Sequence, residues 1–419
     1  MEELETLLRA LRSPARWEAF YAYKAGLAVP KTFTRDLRAF IDEKRYLPIC
    51  DSVARGDAFP LPRRAEISKQ GTDKKRVVYK YPADQTTALK LLTHLTLRRY
   101  DGLFAPGLYS FRPGRTAKDA VRSLLKRPGV FGMYAFKTDV HDYFNSIPVE
   151  KLVPMLETAL ADDPALAAFY VRLLTEPRVL DGDRVIAERK GIMAGTPPSA
   201  FFANLYLSAL DAHFAALGAP YARYSDDIIL FAESREALDA HASFVTAFLA
   251  DHGLALNPEK TEMRAPGEPW TFLGFVCREG VVDVSPAAVT KLKGKMRRKT
   301  RALARWAKRN GVSGEKAAKA FLRIFNRKLF EQAGDNELTW TAWYFPVIST
   351  ADSLRVIDRY AQDCVRYLVS GTRTKSRFNV RYEDLKRLGY RSLVHAYYAG
   401  RDDSGQATGA GCNNAPDML

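Results

Sequence analysis

Residues 221–233 read YARYSDDIILFAE, two aspartates side by side between two runs with the apolar and aromatic character of buried β-strands. Adjacent carboxylates repel one another, while the flanking residues call for burial, so Asp226 and Asp227 belong at or beside the tip of a hairpin. Such a tip is either ordinary solvated turn or a presentation of hard oxygen to a cation, and the stretch alone is compatible with both. The metal reading carries a demand on the fold: a second strand must bring another carboxylate alongside.

GMYAFKTDVHDYFNSIP, residues 132–148, meets that demand. An apolar run ends at Asp139, the arrangement that presents a carboxylate at the end of a strand, although a lone Asp there is most often a turn or helix cap. Phosphoryl transfer onto a nucleotide hydroxyl uses two Mg²⁺ ions roughly 4 Å apart. Magnesium takes oxygen ligands and keeps several waters, so Asp139 and Asp226 on neighbouring strands would suffice. Bound cations would also remove the repulsion in the Asp226–Asp227 pair. His141 lies inside this stretch and reads as a spacer facing away, since hard cations favour oxygen over imidazole.

The formal net charge of +16 is a statement about partners, and nucleic acid is the first of them, because neutralised phosphates release counterions. A basic surface with no dedicated ligand is the plain alternative. No apolar run approaches the roughly 20 residues of a membrane span. The acidic, amphipathic start MEELETLLRALRS is unlike a signal peptide. The four cysteines, Cys50, Cys277, Cys364 and Cys412, are scattered without a CxxC spacing. These features lead us to expect a soluble cytoplasmic protein with no membrane association.

Three zones follow one another. Helical spacing of apolar residues runs to about residue 60, short strand-like runs alternate with helical segments from about 65 to 280, and the chain is helical and basic from about 285 to 400. VTKLKGKMRRKTRALARWAKRN carries ten Lys or Arg residues, with Val289, Leu292, Met296, Leu303 and Trp306 available for a buried stripe. Such a helix is a solvated face in most proteins; here its basic side is also suited to tracking a phosphate backbone. In LTWTAWYFPV, Trp340, Trp343, Tyr344 and Phe345 read as core ahead of a base-stacking platform. The small, polar end GRDDSGQATGAGCNNAPDML reads as disordered.

Two further stretches flank the double aspartate. GIMAGTPPSAFFANLYLSALDAHF opens on a Gly-rich turn, and Thr196-Pro197 forms a good Ncap–N1 pair for a helix that is either simply buried or lies beneath a nucleic-acid duplex. NPEKTEMRAPGEPWTFLGFV places Lys260 as a cation near the reaction and FLGF as a tight strand turn.

In this order, over roughly residues 65–280, these motifs resemble the reverse transcriptases, most narrowly the bacterial ones. The resemblance implies an α+β right-hand polymerase: an N-terminal helical extension (1–60), fingers (61–135), a palm with an antiparallel sheet flanked by helices and with inserted fingers elements (136–284), a basic helical thumb (285–400) and a disordered tail (401–419). It implies RNA-directed DNA synthesis from dNTPs with two Mg²⁺ ions, held by Asp139, the Val140 carbonyl and Asp226, with Asp227 as an accessory carboxylate. Lys260 matches the lysine that protonates pyrophosphate. Phe144 matches the steric gate against a ribose 2′-hydroxyl, Lys69 and Arg76 the triphosphate clamp, Arg112 the basic residue of the fingers motif YSFRPGRTAKDAV, and FLGF the primer grip. Guanidinium and ammonium groups suit such phosphate contacts.

The chain also departs from that pattern. Met193-Ala194-Gly195 replaces the Pro-Gln-Gly of many relatives, which leaves Ala194 and Gly195 at the nucleotide without the glutamine. No Val-Thr-Gly triplet and no NAxxH segment of retron enzymes follows the palm. By elimination, and from LKRLGYRSLVHAYY, the chain is most similar to defence-associated, abortive-infection-like enzymes, which implies a cognate non-coding RNA as template and a role against phage. Retron-type or intron-type enzymes and protein-primed or untemplated DNA synthesis are the alternatives. An RNA-dependent RNA polymerase would not favour Phe144, and an RNA-binding scaffold has no need of Asp139, Asp226, Asp227, Arg76 and Lys260 together.

Overall fold

The computed structural model describes residues 6–27, 29–68, 75–330 and 339–404, which form two compact units, one reaching Gly267 and the other built from Glu268 onward. Lys69, Cys412 and the tail from residue 405 lie outside the described residues. Among the described residues no helix is long and apolar enough to cross a membrane.

The first unit opens with four helices, Leu7–Ala10, Pro14–Ala25, Lys31–Asp42 and Tyr46–Arg55. Trp17 is their hub: its indole is fully buried, stacks on Tyr46 at 5.2 Å, meets Phe40 edge-on, and donates its N–H to the Leu11 carbonyl. That bond matters because a buried indole N–H without a partner would cost more than the ring gains at its polar end.

Among the described residues of this unit eight strands follow: β1 (Arg63–Ser68), β2 (Lys75–Lys80), β3 (Tyr134–Asp139), β4 (Arg178–Asp181), β5 (Arg184–Ala187), β6 (Tyr221–Tyr224), β7 (Asp227–Ala232) and β8 (Glu262–Arg264). They make two four-stranded sheets, ordered β2-β1-β4-β5 and β6-β7-β3-β8. The second is antiparallel throughout, with Asp139 opposite Asp227 and Tyr224 opposite Asp227 on the other side. Ile228, Ile229, Leu230 and Phe231 of β7 are all essentially inaccessible, which identifies a strand covered on both faces and explains its unbroken apolar run.

The helices Ser199–Tyr206 and Ser208–Ala216 follow the Gly-rich turn, and every residue of the first is buried. Each large apolar side chain so buried contributes on the order of 1.5–3 kcal/mol. Total burial makes this helix part of the core, the plainer of the two readings its sequence allows. Its start differs from expectation: it begins at Ser199, and Thr196 caps nothing. The Thr196 hydroxyl instead bonds the Met193 carbonyl (3.1 Å) and Ser199 Oγ (2.7 Å), because Pro197 and Pro198 continue the turn before helical bonding begins.

The second unit carries the meander β9 (Trp270–Phe272), β10 (Phe275–Arg278) and β11 (Val281–Val284), followed by helices Pro286–Arg309, Gly314–Leu329, Trp340–Tyr344, Asp352–Ser370, Tyr382–Arg387 and Leu393–Ser404. FLGF is the β9–β10 turn, with Leu273 at φ 48° and Gly274 at φ 86°. The compact division after Gly267 departs from a palm running to 284, for a packing reason: Ser349 Oγ accepts the Val282 N–H, Ser353 Oγ donates to Asp283, and Tyr344 packs on Phe275 at 5.1 Å. The meander is thus bound to the helices after it. Helix Pro286–Arg309 buries Val289, Leu292, Met296 and Leu303, with Thr300 completing the stripe and Trp306 only half-buried. Tyr344 is buried against Trp340 (4.5 Å), which fits the core reading of that aromatic cluster.

Candidate active site

β3 and β7 run antiparallel in a register that sets Asp139 opposite Asp227, and the two-residue hairpin between β6 and β7 consists of Ser225 and Asp226. Ser225 has φ 59°, the sign that the first position of a two-residue hairpin requires. For a residue other than glycine that conformation costs on the order of 1–3 kcal/mol. The result is a cluster in which oxygens of Asp139, Asp226 and Asp227 all lie within 4.8 Å of one another. Asp139 is buried at 4% exposure and the other two are half-buried.

Among the described residues the cluster is short of positive charge. Burial and then the neighbouring Asp226 and Asp139 carboxylates push Asp227 up to about 7, and burial with the Asp139 charge raises Asp226 as well. Among the described residues, the cation bonded to the cluster is Lys260, whose Nζ lies 2.6 Å from Asp139 Oδ2. Burial opposes the charge on Lys260, but its bond to Asp139 and the attraction of all three carboxylates outweigh this and raise its pKa. Three crowded carboxylates, all oxygen donors and raised by mutual repulsion, fit a divalent hard cation. Asp226 and Asp139 thereby cease to be readable as solvated turn and simple cap.

Around them the backbone is closely tied. Val140 N–H donates to the Asp226 carbonyl (3.1 Å), Asn257 N–H to the Asp139 carbonyl (2.8 Å), and the Asn257 side chain reaches Asp139 Oδ1 at 3.3 Å. Asn257 was not anticipated, although it opens the same NPEK stretch as Lys260. The His141 side chain is exposed and takes no part in the cluster.

Phe144 belongs to the short helix Tyr143–Ser146 directly after β3. Its carbonyl accepts the Ile192 N–H at 2.9 Å, and Gly191, at φ 52°, packs so closely on the Phe144 and Asn145 backbone that a Cβ there would collide. The exposed Arg76 of β2 holds its guanidinium 5.9 Å from the Phe144 ring, so the expected clamp and gate residues are neighbours.

Two expectations fail here. Arg112 is 4% exposed, and its side chain binds Asp101 through Nε and Nη2 (2.7 and 2.9 Å) and the carbonyls of Asp101, Ala105 and Leu108. Those five bonds match the five N–H donors of a guanidinium, leaving none for a phosphate. Arg112 pins its own loop. Ala194 is also buried, at 1%, and its carbonyl accepts the Tyr79 N–H at 2.8 Å, so the turn buttresses β2 through backbone while only Gly195 is exposed.

Residues 67–277 match the family described as reverse transcriptase (RNA-dependent DNA polymerase), half of the chain. The chain belongs to that family. It is similar to the retron Mx65 reverse transcriptase of Myxococcus xanthus, 27% identical over 39% of this chain and 39% of the relative. It is likewise similar to the retron Ec86 reverse transcriptase of Escherichia coli, 23% identical over 40% of this chain and 50% of that one. The chain therefore spans half or less of the length of these relatives. The solved apo telomerase of Candida tropicalis covers 54% of this chain, and 55% of its own, at 13% identity and a TM-score of 0.43.

Proposed function

We propose that this protein is an RNA-directed DNA polymerase that extends a 3′-hydroxyl with dNTPs, its chemistry carried by Asp139 and Asp226 with Asp227 in support. The observation that carries the reading is the under-neutralised cluster of three carboxylates, at the meeting of two strands, in a chain of the reverse transcriptase family. Two Mg²⁺ ions bound there would lower the pKa of the attacking hydroxyl and stabilise the leaving pyrophosphate. Asp139 and Asp226, with the Val140 carbonyl, would hold them.

Lys260 would be the proton source in this reading, with Asp139 keeping it charged. Arg76, and Lys69 in the segment outside the described residues, would meet the triphosphate, and Gly195 would offer backbone beside the nucleotide. Phe144, anchored through its carbonyl, excludes the 2′-hydroxyl by bulk. The template would be a cognate non-coding RNA and the setting anti-phage defence in the cytoplasm, readings supported by the kinship with bacterial reverse transcriptases.

Purified protein with Mg²⁺, a primed RNA template and dNTPs is expected to make DNA, and Asp226→Ala to make none. Robust incorporation of NTPs with indifference to dNTPs would overturn the assignment. Sequencing the nucleic acids that copurify with wild type and with Asp226→Ala tests the template: one RNA species with matching cDNA in the wild type alone is expected, and a random cellular mixture in both refutes a cognate RNA.

A further inference from the structure

Behind the β6–β7 turn lies a buried polar group that the chemistry of the three aspartates does not explain. Arg223, in the middle of β6, is completely buried, and so is Asp211 on helix Ser208–Ala216. Arg223 Nε and Nη2 bind the two Asp211 oxygens at 2.8 and 2.6 Å, and Tyr221 donates its hydroxyl to the same carboxylate at 2.8 Å. The guanidinium has two more bonds: Nη2 to the Asn204 carbonyl (3.2 Å) and Nη1 to the carbonyl of Ser225 (3.1 Å).

The other backbone polar atom of Ser225 is held as well. Its N–H donates to Ser110 Oγ at 2.8 Å, and Ser110 Oγ in turn donates to the Asn204 side chain (3.2 Å), which returns a bond to the Ser110 carbonyl (2.8 Å). Ser110 reaches this point because the segment around Leu108 pairs alongside β6: Arg223 N–H donates to Gly107 and Tyr109 N–H to Arg223. Gly107 permits the approach, since a Cβ there would come within 2.7 Å of the Tyr221 ring. Phe111, at φ 57°, then turns the chain so that Ser110 serves the hairpin while Arg112 anchors on Asp101.

Ser225 is the residue immediately before Asp226 and carries the left-handed backbone of the turn. We infer that Ser110 and Arg223, backed by Asp211 and Asn204, are positioning residues that clamp both backbone polar atoms of Ser225 and thereby hold the Asp226 carboxylate toward Asp139. They touch no reacting atom. Their effect is on where Asp226 stands, and so on metal affinity and turnover rather than on nucleotide binding. A purely structural ion pair would stabilise the fold and leave the geometry of the cluster unchanged when replaced by well-packed apolar residues. The inference rests on the polymerase reading for its kinetic part only.

The decisive variant is the double replacement Arg223→Met with Asp211→Leu, which removes both buried charges at once so that neither is left uncompensated. Ser110→Ala is the milder companion, losing only the partner of the Ser225 N–H. Each is compared with wild type for Mn²⁺ binding, followed by the electron paramagnetic resonance of free Mn²⁺ with Asp226→Asn as the blank, and for steady-state DNA synthesis. Displaced outer partners of metal ligands typically weaken affinity about 10- to 100-fold, and a 1 Å misplacement costs about 10²-fold in rate. Folded variants are therefore expected to bind Mn²⁺ about tenfold more weakly and to lose about 10- to 100-fold in kcat, with KM for dNTP within about threefold. Folded variants with an unchanged Mn²⁺ isotherm and kcat within about twofold overturn the inference. If the double variant does not fold, Ser110→Ala decides on the same two readouts. If wild type makes no DNA, the polymerase reading falls and the Mn²⁺ isotherm alone decides this one.

Discussion

Two groups of acids meet at the same hairpin and are treated in opposite ways. In front, Asp139, Asp226 and Asp227 crowd together with Lys260 as their directly bonded cation, and burial with repulsion drives Asp227 up to about 7. Behind, Asp211 is wholly buried yet fully answered, by the fork of Arg223 and the Tyr221 hydroxyl. A buried charge that is paired and hydrogen-bonded serves the fold, whereas one left short of counter-charge weakens the fold and is retained where something else will bind. The contrast separates framework from chemistry within a few residues of chain.

The largest expected effect is on the front group. Asp226→Asn should lower DNA synthesis by about 10³-fold or more, on the scale of lost transition-state charge stabilisation. It should leave the melting temperature of the metal-free protein unchanged or higher, because it deletes a repelling carboxylate; a fall in melting temperature would break the contrast. Asp211→Ala should do the reverse in stability. Stranding the Arg223 guanidinium is expected to cost about 3–5 kcal/mol, read as a lowered urea midpoint at unchanged slope. A loss under about 1 kcal/mol would show that the rear pair is not a framework element.

A smaller effect attaches to Phe144. Phe144→Ala should raise the efficiency of rNTP over dNTP incorporation by about 10- to 100-fold, the range of a single steric discrimination. No change in that ratio would remove Phe144 from the gate. The smallest is a pH slope. Because the folded state raises the Asp227 pKa to about 7 from an ordinary carboxylate value, the metal-free fold is favoured by this group at low pH. That contribution is lost as pH rises from about 4 through about 7. The melting temperature should therefore decline over that window, the decline should flatten in Asp227→Asn, and Mg²⁺ should restore stability mainly at the upper end. A slope identical in wild type and Asp227→Asn would assign it elsewhere.

How legible these groups were follows from how far apart their parts lie in the chain. Asp226-Asp227 and the strand ending at Asp139 announce themselves because each is a local violation, charge inside an apolar run, and local patterns survive in sequence. The order of motifs pointed to Lys260, which the structure bonds to Asp139, and to Phe144, which it sets beside Arg76. Arg112 misled for the same reason: the motif draws attention to a basic residue, but nothing local tells that Asp101 and three carbonyls occupy all its donors. Arg223 went unread although the signal was present, an arginine among buried positions of YARY. What was missing was its partner, twelve residues away on a helix.

By itself, then, the sequence determined the alternation of short strands and helices, the hairpin tip, the carboxylates that cluster there and the family to which the chain belongs, since periodicity and motif spacing are properties of neighbouring residues. Only the tertiary structure decided which polar groups are free to act and which are spent on one another. Ser110 grips Ser225 across 115 positions and Lys260 reaches Asp139 across 121. Such pairings exist only once loops have closed and strands have paired, because burial, and with it the energy of a charge, belongs to the packed neighbourhood rather than to the residue.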